Sequence, residues 1–350
     1  MRIISAGSAF PGNSYEQQAI TSALKEAWQS RMEQPAVLDR IHARCGVERR
    51  NLVLPLEAYD DRVKSWGQAN DLWIESAQTL GRDAICRAIT PAGIMPRDLD
   101  ALYFVSVTGV ASPSIDARLV NRMGLSPNIK RVPMFGLGCV AGAAGLARAA
   151  DYVRAFPDHI AVVLSVELCS LTWQRGDLTM ANMISTGLFG DGAAAAVVAG
   201  RDTDLRGPEV LATKSVFYPD SENVMGWNIS EAGFRIVLSA DVSTVIRQNL
   251  GSDVDSFLGD AGLRRRDIAS WIIHTGGPKV LEAVEESLDL PPDALDLSWA
   301  SLRQVGNLSS ASVLVVLEEV LAHRRGEPGT YSVLAAMGPG FCSELLLLRW

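Results

Sequence analysis

The chain has 350 residues, 48% of them apolar and 21% charged, which excludes a disordered or low-complexity polymer and leaves ample material for a large core. Thirty-two Lys and Arg against 40 Asp and Glu give a net charge of −8, so nothing in the balance points to nucleic acid, although a few local arginines can still hold an anionic ligand. The opening MRIISAGSAFPG lacks the apolar stretch of a signal peptide, and runs such as IAVVLSV at 160–166 fall short of the roughly 18 residues of a membrane span, so a soluble, cytoplasmic protein is expected.

In chain order, residues 2–7 read as a strand and SYEQQAITSALKEAW, from Ser14, as an amphipathic helix. A short basic helix is expected at 34–45 and a longer helix at 70–89. LDALYFVSVT (99–108) has the length and composition of a strand. CVAGAAGLARAADYVRAF, from Cys139 to Phe156, is small and apolar and then amphipathic, which predicts a helix whose first turns are buried. HIAVVLSVE (159–167) is apolar without alternation, the pattern of a strand covered on both faces in a parallel sheet.

The second half repeats this order. RDLDALYFV aligns with RRDIASWIIH, placing Asp98 against Asp267 at an offset of 169. GCVAGAAGLARAADYV aligns with GNLSSASVLVVLEEVL, placing Cys139 against Asn307 at 168, and VLSVE from Val163 aligns with VLAAM from Val333 at 170. Three elements at nearly one offset indicate a duplicated βα unit in an α/β layered architecture. The pattern breaks at GRDTDLRGP, so the halves are expected at 1–205 and 206–350.

The five cysteines, Cys45, Cys86, Cys139, Cys169 and Cys342, form no CxxC and no His-Cys cluster, so neither a disulfide framework nor a metal site is expected. Most read as buried free thiols. Cys139 differs, because it opens a helix of small residues, where free N–H groups and the partial positive charge lower a thiol pKa; a small packing cysteine is the competing reading. Of the four histidines, His42 lies among arginines and His323 beside Arg324 and Arg325, and both are expected in solvent. His159 begins a strand. His274, in WIIHTGGP, leaves a buried strand at its carboxyl end, where open α/β sheets place ligands; a hydrogen-bonded core histidine is the alternative. Asn307 occupies the duplicate of the Cys139 position and reads either as a helix cap or as an amide donor to a thioester oxygen. A Cys, a His and an Asn together suit carbon–carbon bond formation on a thioester: the thiolate takes the acyl group, and the other two form an oxyanion hole. GLGCVA also fits the G-x-G-x-x-A dinucleotide pattern, but no long strand feeds it and Pro133 lies just upstream. The Asn228-Ile-Ser230 sequon carries no weight without secretion.

At these segments the chain resembles the type III polyketide synthases, the chalcone synthase-like enzymes of the thiolase fold, over essentially its whole length. GLGCVAGAAGL resembles the nucleophile segment, GLFGDGAAAAVV the gatekeeper segment, WIIHTGGPKVL the His segment, GNLSSASVL the Asn segment and AMGPGFCSELLLLRW the closing loop and terminal strand. The resemblance implies a thiolase-like αβαβα fold, a homodimer, and no metal, flavin or nicotinamide. It implies that Cys139 holds the growing chain, that His274 keeps it as thiolate and, with Asn307, orients malonyl-CoA, and that Phe189 is the gatekeeper at the junction of CoA tunnel and cavity. Phe234 is the candidate second gatekeeper. Arg40 and Arg44 share one helix face where the family binds CoA phosphates, but a third basic position is Val37 here, and a solvated helix is the competing reading. Val107, Thr108, Cys169, Thr172, Gly226 and Ser309 would line the cavity. Val107 stands where naphthalene-forming bacterial enzymes carry a second cysteine, which argues against that product although ELCSLTW resembles them. MGWNISEAGFRIVLS is more similar to alkylresorcinol and alkylpyrone synthases, which take fatty acyl starters.

The expected activity is therefore loading of an acyl-CoA on Cys139, extension by decarboxylative condensation with malonyl-CoA, and cyclisation to a pyrone, resorcinol or related aromatic ring. The nearest alternative is an initiating β-ketoacyl-acyl-carrier-protein synthase, which condenses once. A catalytically dead binding subunit predicts loss of a catalytic position, and all three are present.

Overall fold

Residues 1–323 and 326–350 are described by the computed structural model. The N-terminal half opens with β1 (Arg2–Ala9), β2 (Asn13–Glu16), α1 (Gln17–Trp28), α2 (Ala36–Ala43), β3 (Arg49–Leu52), α3 (Tyr59–Arg62) and α4 (Trp66–Ile89). It continues through β4 (Ala101–Val105), α5 (Ile115–Met123), β5 (Lys130–Met134), α6 (Ala141–Ala155), β6 (Ile160–Leu168), α7 (Met180–Leu188) and β7 (Asp191–Ala199). The C-terminal half contains β8 (Glu209–Phe217), β9 (Met225–Ser230), β10 (Gly233–Leu238), α8 (Val242–Asp260), β11 (Ile268–Ile273) and α9 (Pro278–Leu288). It closes with α10 (Asp296–Val305), α11 (Ser312–His323), β12 (Tyr331–Gly338) and β13 (Cys342–Arg349).

The duplication seen in the sequence is a duplication of structure. Strands β1, β7, β6, β4 lie side by side in one half and β8, β13, β12, β11 in the other, with β5 added beyond β4. In each set the first two pairings are antiparallel and the third parallel. The sets meet at β1 and β8, through Arg2 opposite Glu209. Even the small repeat is literal: Asp98 and Asp267 each close a 3-10 turn, accepting hydrogen bonds from Met95 N (2.9 Å) and Arg264 N (2.8 Å).

Side-chain alternation along the doubly covered strands builds five layers. Val162, Leu164 and Val166 of β6 face a core shared with α4, including Trp73 and Ile85, while Ala161 and Val163 face the middle layer. On the other side, Leu334 and Ala336 of β12 face that middle layer, and Val333, Ala335 and Met337 face α8 and α9. The middle layer is α6 and α11, packed through Leu146, Val153, Leu314 and Leu317. Each such Val or Leu contributes about 1.5–3 kcal/mol by leaving water. The outcome is the expected αβαβα thiolase-like arrangement. Among the described residues, no helix is long and apolar enough to cross a membrane.

Some boundaries differ from expectation. Ser14 is not helical: Asn13–Glu16 pair with Arg49–Leu52, and α1 starts only at Gln17, whose N–H donates to Glu48 O at 2.7 Å. His42 is not solvated. It is buried with Nδ1 2.8 Å from Thr21 Oγ1 and Nε2 3.2 Å from Met183 O, and burial, aided by Arg50, pushes it down to about 4. His323 is exposed, 3.6 Å from Glu319; Arg324 and Arg325 lie outside the described residues. His159 is 2.6 Å from the Tyr152 hydroxyl.

Candidate active site

Cys139 sits in a 3-10 turn (Gly138–Val140) just ahead of α6, and Asn307 just ahead of the equivalent turn (Ser309–Ala311) that leads into α11. The two turns touch because residue 142 is glycine: a Cβ there would lie 2.2 Å from Ser310 O. That approach puts Cys139 Sγ 3.6 Å from Ser309 Oγ, with the Asn307 side chain also in hydrogen-bonding reach of the sulfur. Asn307 Oδ1 accepts from Ser309 N at 2.7 Å, which turns its NH2 group away from that backbone.

Asn307 is also fixed through its backbone. Its N–H donates to Leu188 O (2.9 Å) and its carbonyl accepts from Gly190 N (3.0 Å), so it forms a parallel bridge with Phe189. Behind the bridge, the fully buried Arg50 donates to Phe189 O at 2.6 Å and to Gln17 Oε1 at 2.9 Å. His274 follows the last residue of β11 and continues its ladder, its N–H donating to Ala335 O at 3.0 Å. Its imidazole is buried, with Nδ1 lacking a partner among the described residues.

Desolvation dominates the electrostatics of Cys139 and His274. Burial pushes the Cys139 thiol up to about 12 and the His274 imidazole down to about 4, although Ser309 and Asn307 oppose the rise at the sulfur. No cation among the described residues is among the causes that act on the Cys139 thiol. Burial thus disfavours the charged form of both groups.

Phe189 and Cys139 belong to one apolar cluster, and Phe189 also lines a cavity of about 470 Å³ that opens to solvent between α2, α7, β10 and the start of α9. Arg44 lines it; Arg40 is exposed and outside the lining. None of Val107, Thr108, Cys169, Thr172, Gly226 and Ser309 lines this space. Cys169 packs with Cys139, and Ser309 contacts it. The Thr108 hydroxyl donates to Glu167 Oε2 (2.8 Å) and Val107 N to the same oxygen (3.1 Å), while the Thr172 hydroxyl donates to Cys169 O. Gly226 lies on β9 facing open space, since a Cβ there would meet nothing within 4 Å. Phe234 packs instead among Trp66, Phe135 and Trp227, with ring centroids 5.9–6.3 Å away, and stands outside the cavity lining. Leu238, on the same face of β10, does line it.

Sequence reasoning missed several buried charges, among them Glu167 and Arg50. Glu167 ties residues 106–108 to Ser310 beside the Asn307 turn, and burial raises its pKa. Its signal was present: a lone carboxylate in a strand apolar on both faces. Arg50 had none, since ERRN reads as surface.

Profiles of the chalcone and stilbene synthases match twice, the N-terminal domain over residues 1–203 and the C-terminal domain over 209–350. The chain is 50% identical over 346 residues to a 1,3,6,8-tetrahydroxynaphthalene synthase of Streptomyces peucetius subsp. caesius, covering 98% of this chain and 91% of that one. It is 36% identical to a putative chalcone synthase of Bacillus subtilis (strain 168), covering 99% and 98%. The crystal structure of the tetrahydroxynaphthalene synthase of Streptomyces coelicolor A3(2), a bacterial type III polyketide synthase, superposes with a TM-score of 0.94 at 29% identity, covering 100% and 99%.

Proposed function

Since the chain belongs to the chalcone and stilbene synthase family and is a type III polyketide synthase, we propose that it primes and extends itself with malonyl-CoA and releases a fused aromatic ring of the tetrahydroxynaphthalene type. The supporting observation is the cramped surrounding of the nucleophile. Val107, Thr108, Cys169, Thr172 and Ser309 are only 2–7% exposed, which suits a two-carbon starter better than a fatty acyl chain. Half-identity to a naphthalene-forming relative supports the same product and outweighs the single Val107 difference. The matched family models are those of the chalcone and stilbene synthases, which fits this reading rather than a single-condensation carrier-protein enzyme.

In the proposed cycle the Cys139 thiol gives its proton to His274 as sulfur attacks the thioester carbonyl, and CoA leaves carrying a proton. A second malonyl-CoA then loses CO2 beside Phe189, whose apolar face disfavours the carboxylate. Donors on His274 and Asn307 hold the enolate oxygen, and the enolate carbon attacks the Cys139 thioester. The acyl chain moves to the new CoA thioester and returns to Cys139 for the next round. Two copies of the chain are expected to associate, with exposed Phe135 and Val110 offering apolar surface, which light scattering would register as twice the monomer mass.

Mass spectrometry of products from the purified protein tests the reading. Malonyl-CoA alone, without carrier protein, should yield a naphthalene built from five two-carbon units. Pyrones or resorcinols formed only when a long acyl-CoA is added would overturn the malonyl-primed reading.

A further inference from the structure

The β9–β10 hairpin is a two-stranded sheet of its own beside the nine-stranded one. Two strands alone are marginal in water, so the hairpin takes its position from what it rests on. Phe234, Ile236 and Leu238 share one face of β10. Leu238 lines the cavity, with Met225 opposite it on β9. Ile236 packs against the apolar cluster that contains Cys139, Cys169 and Phe189, and Phe234 rests on Trp66 and Phe135. Such packing is non-directional and leaves the hairpin free to slide; only hydrogen bonds can fix its register.

Among the described residues, every hydrogen bond that leaves the hairpin ends on the loop at 173–179. Gln174 Nε2 donates to Phe234 O at 3.0 Å and to Ala232 O at 3.2 Å, and it also reaches Thr172 O at 3.2 Å. Two amide hydrogens thus serve three carbonyls. Arg235 Nε donates to Asp177 Oδ2 at 2.8 Å. The loop is itself held from its other side. Asn182 Nδ2 donates to Gln174 O (2.9 Å) and Asp177 O (2.7 Å), Trp28 Nε1 donates to Arg175 O (3.0 Å), and Arg175 pairs with Asp60. Upstream, the loop continues directly from the turn Cys169–Thr172, whose Cys169 packs with Cys139.

We propose that Gln174, supported by Asp177, is a positioning residue for product length: it holds the hairpin in register with the Cys169–Thr172 turn and so fixes the space in which the chain on Cys139 grows and folds. This rests on the reading of the protein as a synthase that builds its chain on Cys139. Gln174 acts through the hairpin and the turn. Without its tie the wall slides, the space loses its fixed shape, and the chain cyclises before it reaches full length. Decarboxylation at His274 and Asn307 does not draw on the tie and persists.

The test is mass spectrometry of the products from malonyl-CoA, with decarboxylation followed as CO2 release and hairpin opening as hydrogen exchange over residues 225–238. Gln174→Glu keeps the size of the side chain and, ionised, cannot donate. It should raise the ratio of short pyrones to full-length naphthalene about tenfold and speed hairpin exchange by a similar factor, with KM for malonyl-CoA and decarboxylation within about twofold of the parent. Gln174→Ala should do the same. Arg235→Ala removes a half-exposed tie and should shift the ratio only about twofold. Asn228→Ala, at an exposed position of β9, should leave the ratio as in the parent. A parental product ratio in both Gln174 variants would overturn the proposal. So would a joint loss of decarboxylation, thermal midpoint and every product, which would mark a merely structural glutamine. A parent that makes products only from a long acyl-CoA would overturn the malonyl-primed reading instead; the tie is then read from the number of units added to that starter, and an unchanged number in Gln174→Glu would overturn it.

Discussion

Before α6 the chain makes a 3-10 turn that holds Cys139, and before α11 it makes the equivalent turn at Ser309–Ala311, with Asn307 two residues ahead. The backbones match and the chemistry does not. The first turn presents a sulfur that can be acylated. The second presents an amide and a hydroxyl that do not titrate and can only hold a charge that forms. Duplication thus sets two helix starts face to face in the middle layer, and divergence divides the labour between them. The halves differ a second time between their first strand and first long helix. There the N-terminal half inserts α1 and α2, the C-terminal half the β9–β10 hairpin, and the two insertions form facing walls of the cavity through Arg44 and Leu238.

The sharpest way to break the comparison is Cys139→Ala. It should lower product formation by roughly a thousandfold or more while malonyl-CoA decarboxylation, followed by CO2 release, persists on His274 and Asn307. Loss of both activities together would show that the two turns do not divide the work.

Gly142→Ala attacks the contact between the turns. With Ser310 O 2.2 Å from the added carbon, it should cost about 3 kcal/mol in denaturant unfolding and displace the Asn307 turn, lowering activity as well. Gly259, near the end of α8, has nothing within 4 Å, and Gly259→Ala should add about 0.5 kcal/mol by helix propensity. Equal effects at the two glycines would deny the close approach.

The pH dependence separates a structural from a catalytic histidine. His42 stands near 4 in the folded protein against 6.5 unfolded, so between those values the unfolded chain binds more protons, and stability present above pH 6.5 falls as the pH drops toward 4. Asp191, pushed up to about 6 by burial, works in the opposite direction over a similar window. The histidine share is therefore best read as a difference: His42→Gln should flatten the loss between pH 7 and 4.5 by up to about 3 kcal/mol, measured by urea unfolding at both pH values. An unchanged curve would return His42 to solvent.

Much of this was legible in the sequence. The offsets joining Asp98 to Asp267, Cys139 to Asn307 and Val163 to Val333 all mark equivalent places in the two halves, because a strand covered on both faces and a helix start made of small residues leave strong local patterns. The Cys, His and Asn are likewise marked by neighbouring glycines and strand ends. Side chains whose meaning depends on what packs over them were not legible. His42, Arg50 and Ser14 all sit in polar local sequence, yet one is a buried hydrogen-bonded ring, one a buried clamp on Phe189, and one a residue of a strand. The desolvation of Cys139 was equally hidden: a helix start lowers a thiol pKa, and burial by elements distant in the chain raises it.

Periodicity and small-residue runs are properties of neighbours in the chain, so the sequence alone determined the layered duplicated fold. Which side chains line the cavity and which carboxylate is buried depend on desolvation and on contacts between residues more than a hundred positions apart. Those the tertiary structure decided, because solvent exclusion is a property of the packed whole.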